Sequence, residues 1–278
     1  MKMRGMSLKK RTVLTLFALF LSVNPVGMRE ALASSGQEEG IRLMAHRGDG
    51  MNHPENTLPA FQSSIDSGVQ WIELDVTQTK DGVLVVYHDE DLRRITGQEK
   101  KIWEVTYEEL KTFSVEESMG PAYSNVRVPT LEQVMDLCSG KVKLNIEVKE
   151  NGHESPDFID RIVALIGQKQ MQSQCMITSF GYDVLTKVKS LDASLATGYI
   201  LSRQPEQFET YTAADSFMLS IDLIRPELVK QLHSLGKQVS VWTVNDPCSV
   251  KKCLEAGADS LITDKPDYVR EALTLFIS

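Results

Sequence analysis

From residue 41 to the C-terminus the chain repeats one pattern: a short apolar run, then a segment with apolar positions at helical spacing. The apolar runs are "IRLMA" (41–45), "WIELDV" (71–76), "VKLNIEV" (142–148), "CMITSF" (175–180), "LATGYI" (195–200), "FMLSI" (217–221), "QVSVWTV" (238–244) and "SLITD" (260–264). Helix-like segments at 57–67, 130–138, 156–169, 181–190, 226–235 and 247–256 lie between them, several opened by Ser, Thr, Asp or Pro, the usual helix starters. Strands alternating with helices predict parallel βα units, and eight of them over 41–278 predict an α/β fold of the (β/α)₈, TIM-type barrel class. A ninth apolar run, "VLVVYHD" (83–89), follows the second too closely for a crossover helix, so only a hairpin connects them. Residues 77 to about 129 therefore read as an insertion in the second βα loop, with a short helix of its own near "TYEELKTF". An open, doubly wound sheet is the alternative, but no glycine-rich dinucleotide fingerprint follows the first strand.

The N-terminus stands apart from this pattern. Lys9, Lys10 and Arg11 precede the apolar run "TVLTLFALFLSV", and "ALA" at 31–33 supplies small residues before Ser34. This predicts a signal peptide over 1–33 cleaved after Ala33, a flexible leader over 34–40, and export to the periplasm, cell envelope or medium. The run of 12 residues falls short of the roughly 20 that a membrane-spanning helix needs, so no stable membrane insertion is expected after cleavage. Residues 1–33 carry six Lys and Arg against one Glu, so their removal takes the formal charge from −8 to −13. So acidic a chain lacks the broad basic face that a nucleic acid or an anionic membrane requires, although a local positive pocket remains compatible with it. The four cysteines, at 138, 175, 248 and 253, follow no metal-knuckle spacing and are too sparse for a disulfide scaffold. All four read as buried thiols.

The candidate chemistry gathers where the strands end. His46 and Arg47 end the first strand, Glu73 and Asp75 lie in the second, and Glu147 and Lys149 close the third. Side chains alternate along a strand, so Glu73 and Asp75 share one face, as do Asn145, Glu147 and Lys149. Three carboxylates facing inward on neighbouring strands repel one another unless a cation neutralises them, and an all-oxygen donor set selects a hard ion, Ca²⁺ or Mg²⁺. Such an ion beside Arg47, Lys149 and two histidines suits a phosphate ester, whose developing charge these groups would stabilise while the histidines divide the proton transfers.

The motifs "HRG" (46–48), "PENT" (54–57), "ELDV" (73–76), "DGVLVVYHD" (81–89), "NIEVK" (145–149), "SF" (179–180), "VWTVN" (241–245) and "LITDKP" (261–266) together resemble the glycerophosphodiester phosphodiesterase family over about 41–270. The resemblance implies metal-dependent hydrolysis of small glycerophosphodiesters to sn-glycerol 3-phosphate and an alcohol. It implies His46 and His88 as the acid/base pair, with His46 as base and His88 as acid in the first step. It further implies Glu73, Asp75 and Glu147 as metal ligands and Arg47 and Lys149 as phosphate-binding groups. The implied route begins with attack of the glycerol 2-hydroxyl on phosphorus, giving a cyclic phosphate that water opens.

Phe180 and Trp242 are either barrel core or an apolar wall for the glycerol backbone. Glu55 and Asn56 read as residues that tie the loop down and cap the first helix. His53 reads as an exposed loop histidine; His153 and His233 read as solvated or structural, with no partner evident in the sequence. A lipid-cleaving barrel enzyme of the phosphoinositide-specific phospholipase C or sphingomyelinase D kind would favour an exposed apolar rim. A binding protein that had lost catalysis has no need of the two histidines, and both are present.

Overall fold

A computed structural model describes residues 40–277; the expected signal peptide and nearly all of the leader lie outside them. Eight parallel strands close into a barrel: β1 (Arg42–Ala45), β2 (Trp71–Gln78), β4 (Lys143–Val148), β5 (Cys175–Ser179), β6 (Ala196–Leu201), β7 (Ser216–Ser220), β8 (Gln238–Trp242) and β9 (Ser260–Thr263). Closure comes from β1, which pairs with β2 on one side and β9 on the other. The strands are buried on both faces, as parallel strands under a helical layer must be.

The local sequence explains the helical starts. In α1 (Leu58–Asp66) the Thr57 side chain accepts from the Ala60 amide, and Pro59 occupies a first-turn position where no amide partner is needed. Thr130 and Gln133 form a reciprocal capping box at the start of the helix Leu131–Cys138. Between β6 and β7 the chain makes only one 3₁₀ turn, Phe208–Thr210, so this βα unit has no α-helix. A final helix, Pro266–Ile277, covers β1 and was not apparent in the hydrophobic pattern.

Inside the barrel, Met44, Trp71, Met176, Ile200, Met218 and Ile262 pack as one cluster. This plug fills the lower part of the interior and leaves the C-terminal ends of the strands for polar groups. The insertion begins with β3 (Leu84–Val86), antiparallel to β2 with Val76 opposite Val86. It has a small core of its own, built on Val85, Tyr87, Leu92, Ile95, Ile102, Val105, Leu110, Val115 and Val128. That core fixes the segment carrying His88 against the barrel rim.

Three cysteines are buried, but Cys248 is exposed. It lies near the start of the helix Pro247–Ala256, five residues from buried Cys253 and on a different face.

Candidate active site

The first strand hands over to a tight turn. His46 donates its backbone amide to Thr263 O at 2.8 Å, Arg47 takes a left-handed conformation at φ 55°, and Gly48 follows at φ 84°. A Cβ on Gly48 would stand 2.9 Å from the Ala60 backbone, so only glycine allows α1 to pack this closely. The turn points the Arg47 amide at Glu73 Oε2, 2.9 Å away, and its carbonyl at the Asn56 amide, also 2.9 Å away.

In β2 and β4 the register sets Asp75 beside Glu147 and Glu73 beside Asn145. Ligand oxygens of Glu73, Asp75 and Glu147 all lie within 4.8 Å of one another, and all three residues are buried. Burial, reinforced by Asp75 and Glu147, pushes the Glu73 carboxyl up to about 8, and burial with Asp75 raises Glu147 as well. Asp75 goes the other way: burial opposes its charge, but Arg47 and Lys149 outweigh it and keep it ionised. The charged partners are Arg47 Nε at 3.3 Å and Lys149 Nζ at 3.5 Å from Asp75, with Lys149 also 2.7 Å from Glu147.

Among the described residues, two buried carboxylate oxygens of the cluster, Glu73 Oε1 and Asp75 Oδ1, have no hydrogen-bond partner, Asp75 Oδ1 meeting only the Lys149 ammonium at ion-pair distance, 3.5 Å. Leaving such atoms unmade costs on the order of 1–3 kcal/mol each, more when charged. A hard divalent cation between three carboxylates removes that cost, so the donor set and the orphaned oxygens fit a metal held by Glu73, Asp75 and Glu147.

The two histidines face the same cavity, of about 160 Å³, which is also lined by Arg47, Glu73, Glu147, Lys149, Phe180 and Trp242. Asp75 lies just beneath, fully buried. His46 Nδ1 lies 2.6 Å from Asp264 Oδ1, and its Nε2 is turned inward, 3.9 Å from Glu73. Burial disfavours the imidazolium, but Asp264 and Glu73 overcome it and raise the His46 pKa. His88 Nδ1 lies 2.7 Å from Asp89 Oδ1. Trp242 anchors its indole N–H on Met218 O at 2.9 Å and meets Phe180 edge to face, ring centroids 5.8 Å apart. Phe180 is 48% exposed, so it forms a wall of the cleft rather than core.

All nine candidate residues thus converge on one site. Sequence reasoning missed their supports. Asp264 and Asp89, which hold the outer nitrogens of the histidines, stood inside the motifs "LITDKP" and "YHD" without a role. Asn245 grips Asp264 Oδ2 at 2.6 Å. Asn56 does not cap the helix: its Nδ2 donates to Asp75 Oδ2 at 2.8 Å, and its Oδ1 accepts from the Asp75 amide. The other histidines also have partners. His53 is half-buried against Tyr123, His153 stacks on Trp103 with centroids 4.2 Å apart, and His233 Nε2 lies 2.9 Å from Asp259.

A sequence profile of the glycerophosphoryl diester phosphodiesterase family matches residues 46–268. The chain belongs to this family. It is 34% identical over 229 residues to the glycerophosphodiester phosphodiesterase of Caldanaerobacter subterraneus, covering 81% of this chain and 94% of that protein. It is 31% identical over 233 residues to the glycerophosphodiester phosphodiesterase of Bacillus altitudinis, covering 81% and 95%. Among solved structures, an Oleispira antarctica phosphodiesterase in complex with the product sn-glycerol-3-phosphate superposes with a TM-score of 0.80 at 26% identity, over 84% of this chain and 96% of that one. The enzyme is accordingly a metal-dependent phosphoric diester hydrolase of the glycerophosphodiester type.

Proposed function

We propose that the enzyme cleaves small glycerophosphodiesters to sn-glycerol 3-phosphate and an alcohol, with His46 and His88 exchanging the protons and Ca²⁺ or Mg²⁺ on Glu73, Asp75 and Glu147. The observation that carries this reading is the meeting of three buried carboxylates, two cationic side chains and two aspartate-backed histidines around one cavity. An ion held by Glu73, Asp75 and Glu147 would supply Lewis-acid screening of the anionic diester. Arg47 and Lys149 bind the phosphoryl oxygens, stabilising the charge that grows on them. The Phe180–Trp242 edge shelters the carbon face of the glycerol.

His46 takes the proton of the glycerol 2-hydroxyl as its oxygen attacks phosphorus. The bond from phosphorus to the departing oxygen breaks, and His88 delivers a proton to the alcohol. In the second half the roles reverse: His88 removes a proton from water, the cyclic phosphate opens, and His46 returns its proton to the 2-oxygen. Asp264 and Asp89 hold each ring by Nδ1, leaving Nε2 for this exchange. A 2-deoxy analogue of glycerophosphocholine tests the route, since it lacks the attacking hydroxyl and should not turn over. Normal hydrolysis of that analogue would remove the cyclic step.

The basic-then-apolar N-terminus supports export, with cleavage after Ala33. A mature N-terminus at Ser34 in protein from the envelope or medium, read by mass spectrometry, is the expected result; an intact N-terminus on cytoplasmic protein would count against it.

A further inference from the structure

The loops that follow the neighbouring strands β1 and β2 are joined by an unbroken line of charge-assisted bonds that runs through the insertion. His88 Nδ1 meets Asp89 Oδ1 at 2.7 Å, and the other oxygen of Asp89 accepts from Arg94 Nε at 2.7 Å. The outer edge of the same guanidinium clamps Glu55 with two bonds, Nη1 to Oε2 at 2.8 Å and Nη2 to Oε1 at 2.7 Å. Glu55 Oε1 also accepts from Arg47 Nη1 at 2.9 Å. His88 and Arg47, carried by the loops after adjacent strands, are thereby tied through one side chain, Arg94.

Arg94 is well placed to act as such a tie. It sits in the one-turn helix Arg93–Thr96, whose Ile95 and Thr96 are buried and whose flanking Leu92 packs in the insertion core. Its fork satisfies two carboxylates at once, which the point charge of a lysine does not reproduce. An isolated surface ion pair would be worth little. Here, however, Glu55 and Asp89 are both largely shielded, at 20% and 24% side-chain exposure. Although burial opposes their charge, the hydrogen bonds around them keep both carboxyls below their ordinary range.

We infer that Arg94 is a positioning residue that holds His88 and Arg47 in register with each other, so that the insertion contributes to turnover through geometry. The inference rests on the roles proposed for those two residues. Displacing a reacting group by about 1 Å can cost roughly a hundredfold in rate, so Arg94→Ala should lower kcat by about ten- to a hundredfold and raise KM as Arg47 loses its support.

The test compares wild type, Arg94→Ala, Arg94→Lys and His88→Ala on glycerophosphocholine and on a glycerol nitrophenyl phosphodiester. Melting curves with and without added Ca²⁺ or Mg²⁺ accompany the kinetics. The expected result is that the residual activity of Arg94→Ala depends on the leaving group in the same way as that of His88→Ala, that Arg94→Lys recovers only part, and that the ion still raises the melting temperature. In a cycle of Glu55→Gln with Asp89→Asn, the effects on kcat should be non-additive when Arg94 is present and additive in the Arg94→Ala background. Wild-type kcat and KM in folded Arg94→Ala, beside a His88→Ala whose kcat has fallen, would overturn this inference alone. So would a loss that is the same for both substrates and is accompanied by loss of the ion-induced shift, which marks general disruption. Should Arg94→Ala not fold, the cycle read with Arg94→Lys decides, and additivity in wild type overturns the inference. Undiminished turnover in His88→Ala would overturn the reading of the site itself, and this inference with it.

Discussion

Glu73 ties the metal site to the stability of the fold. Its carboxyl is fully buried and raised from 4.5 to about 8, chiefly by burial. Because the folded-state value lies above the unfolded one, the protonated side chain stabilises the metal-free fold fully below pH 4.5, and that contribution is lost as pH rises through about 8. Some 3.5 pH units at about 1.36 kcal/mol each give about 5 kcal/mol at most. Glu147 and His46, both raised, add in the same direction, whereas Asp75, lowered, loses its contribution only under more acidic conditions. A divalent cation needs the ionised carboxylate, so the stabilisation it confers should grow with pH over the same window. Urea denaturation from pH 5 to 8.5, in chelator and in excess Ca²⁺ or Mg²⁺, reads both effects. The chelated wild type should lose stability steadily as pH rises, and the ion should restore it. Glu73→Gln should flatten the chelated profile and lose most of the ion-dependent gain. A wild type that gains stability from pH 5 to 8 in chelator would refute this account of Glu73, and so would a Gln variant with the full ion-dependent gain.

Three further outcomes are expected. His46→Ala and His88→Ala should each remain folded while kcat drops by about 10²–10⁴, and a nitrophenyl leaving group should rescue His88→Ala far more than His46→Ala; equal rescue would reassign the acid and base. Asp264→Asn should lower kcat and move the acidic limb of the kcat/KM profile to lower pH, because the carboxylate that raises the His46 pKa is gone; an unmoved limb would show that His46 is not the titrating base. Asn56→Ala should cost on the order of 1–3 kcal/mol in urea unfolding, since both its bonds to buried Asp75 are lost, and a cost below about 0.5 kcal/mol would deny it that role.

The barrel was legible because each strand is a compact apolar run, and the site because alternation along β2 and β4 aims Glu73, Asp75 and Glu147 to one side whatever the helices do. What escaped depends on contacts between distant segments. Arg94 meets Glu55 across 39 residues, His46 meets Asp264 across 218, and Asn56 meets Asp75 across 19. No periodicity encodes those meetings; they follow from closing the barrel and docking the insertion. Cys248 escaped for a smaller reason: five-residue spacing separates it from Cys253 around the helix, but which of the two faces the sheet is settled only by packing.

Phosphorus NMR of glycerophosphocholine turnover, with the protein loaded with Ca²⁺ or Mg²⁺ and then treated with excess chelator, tests the central claim most directly. The account predicts that sn-glycerol 3-phosphate accumulates with the ion present, that phosphocholine does not, and that product formation stops when chelator is added. Continued turnover at full rate in chelator, or release of phosphocholine in place of sn-glycerol 3-phosphate, would contradict it.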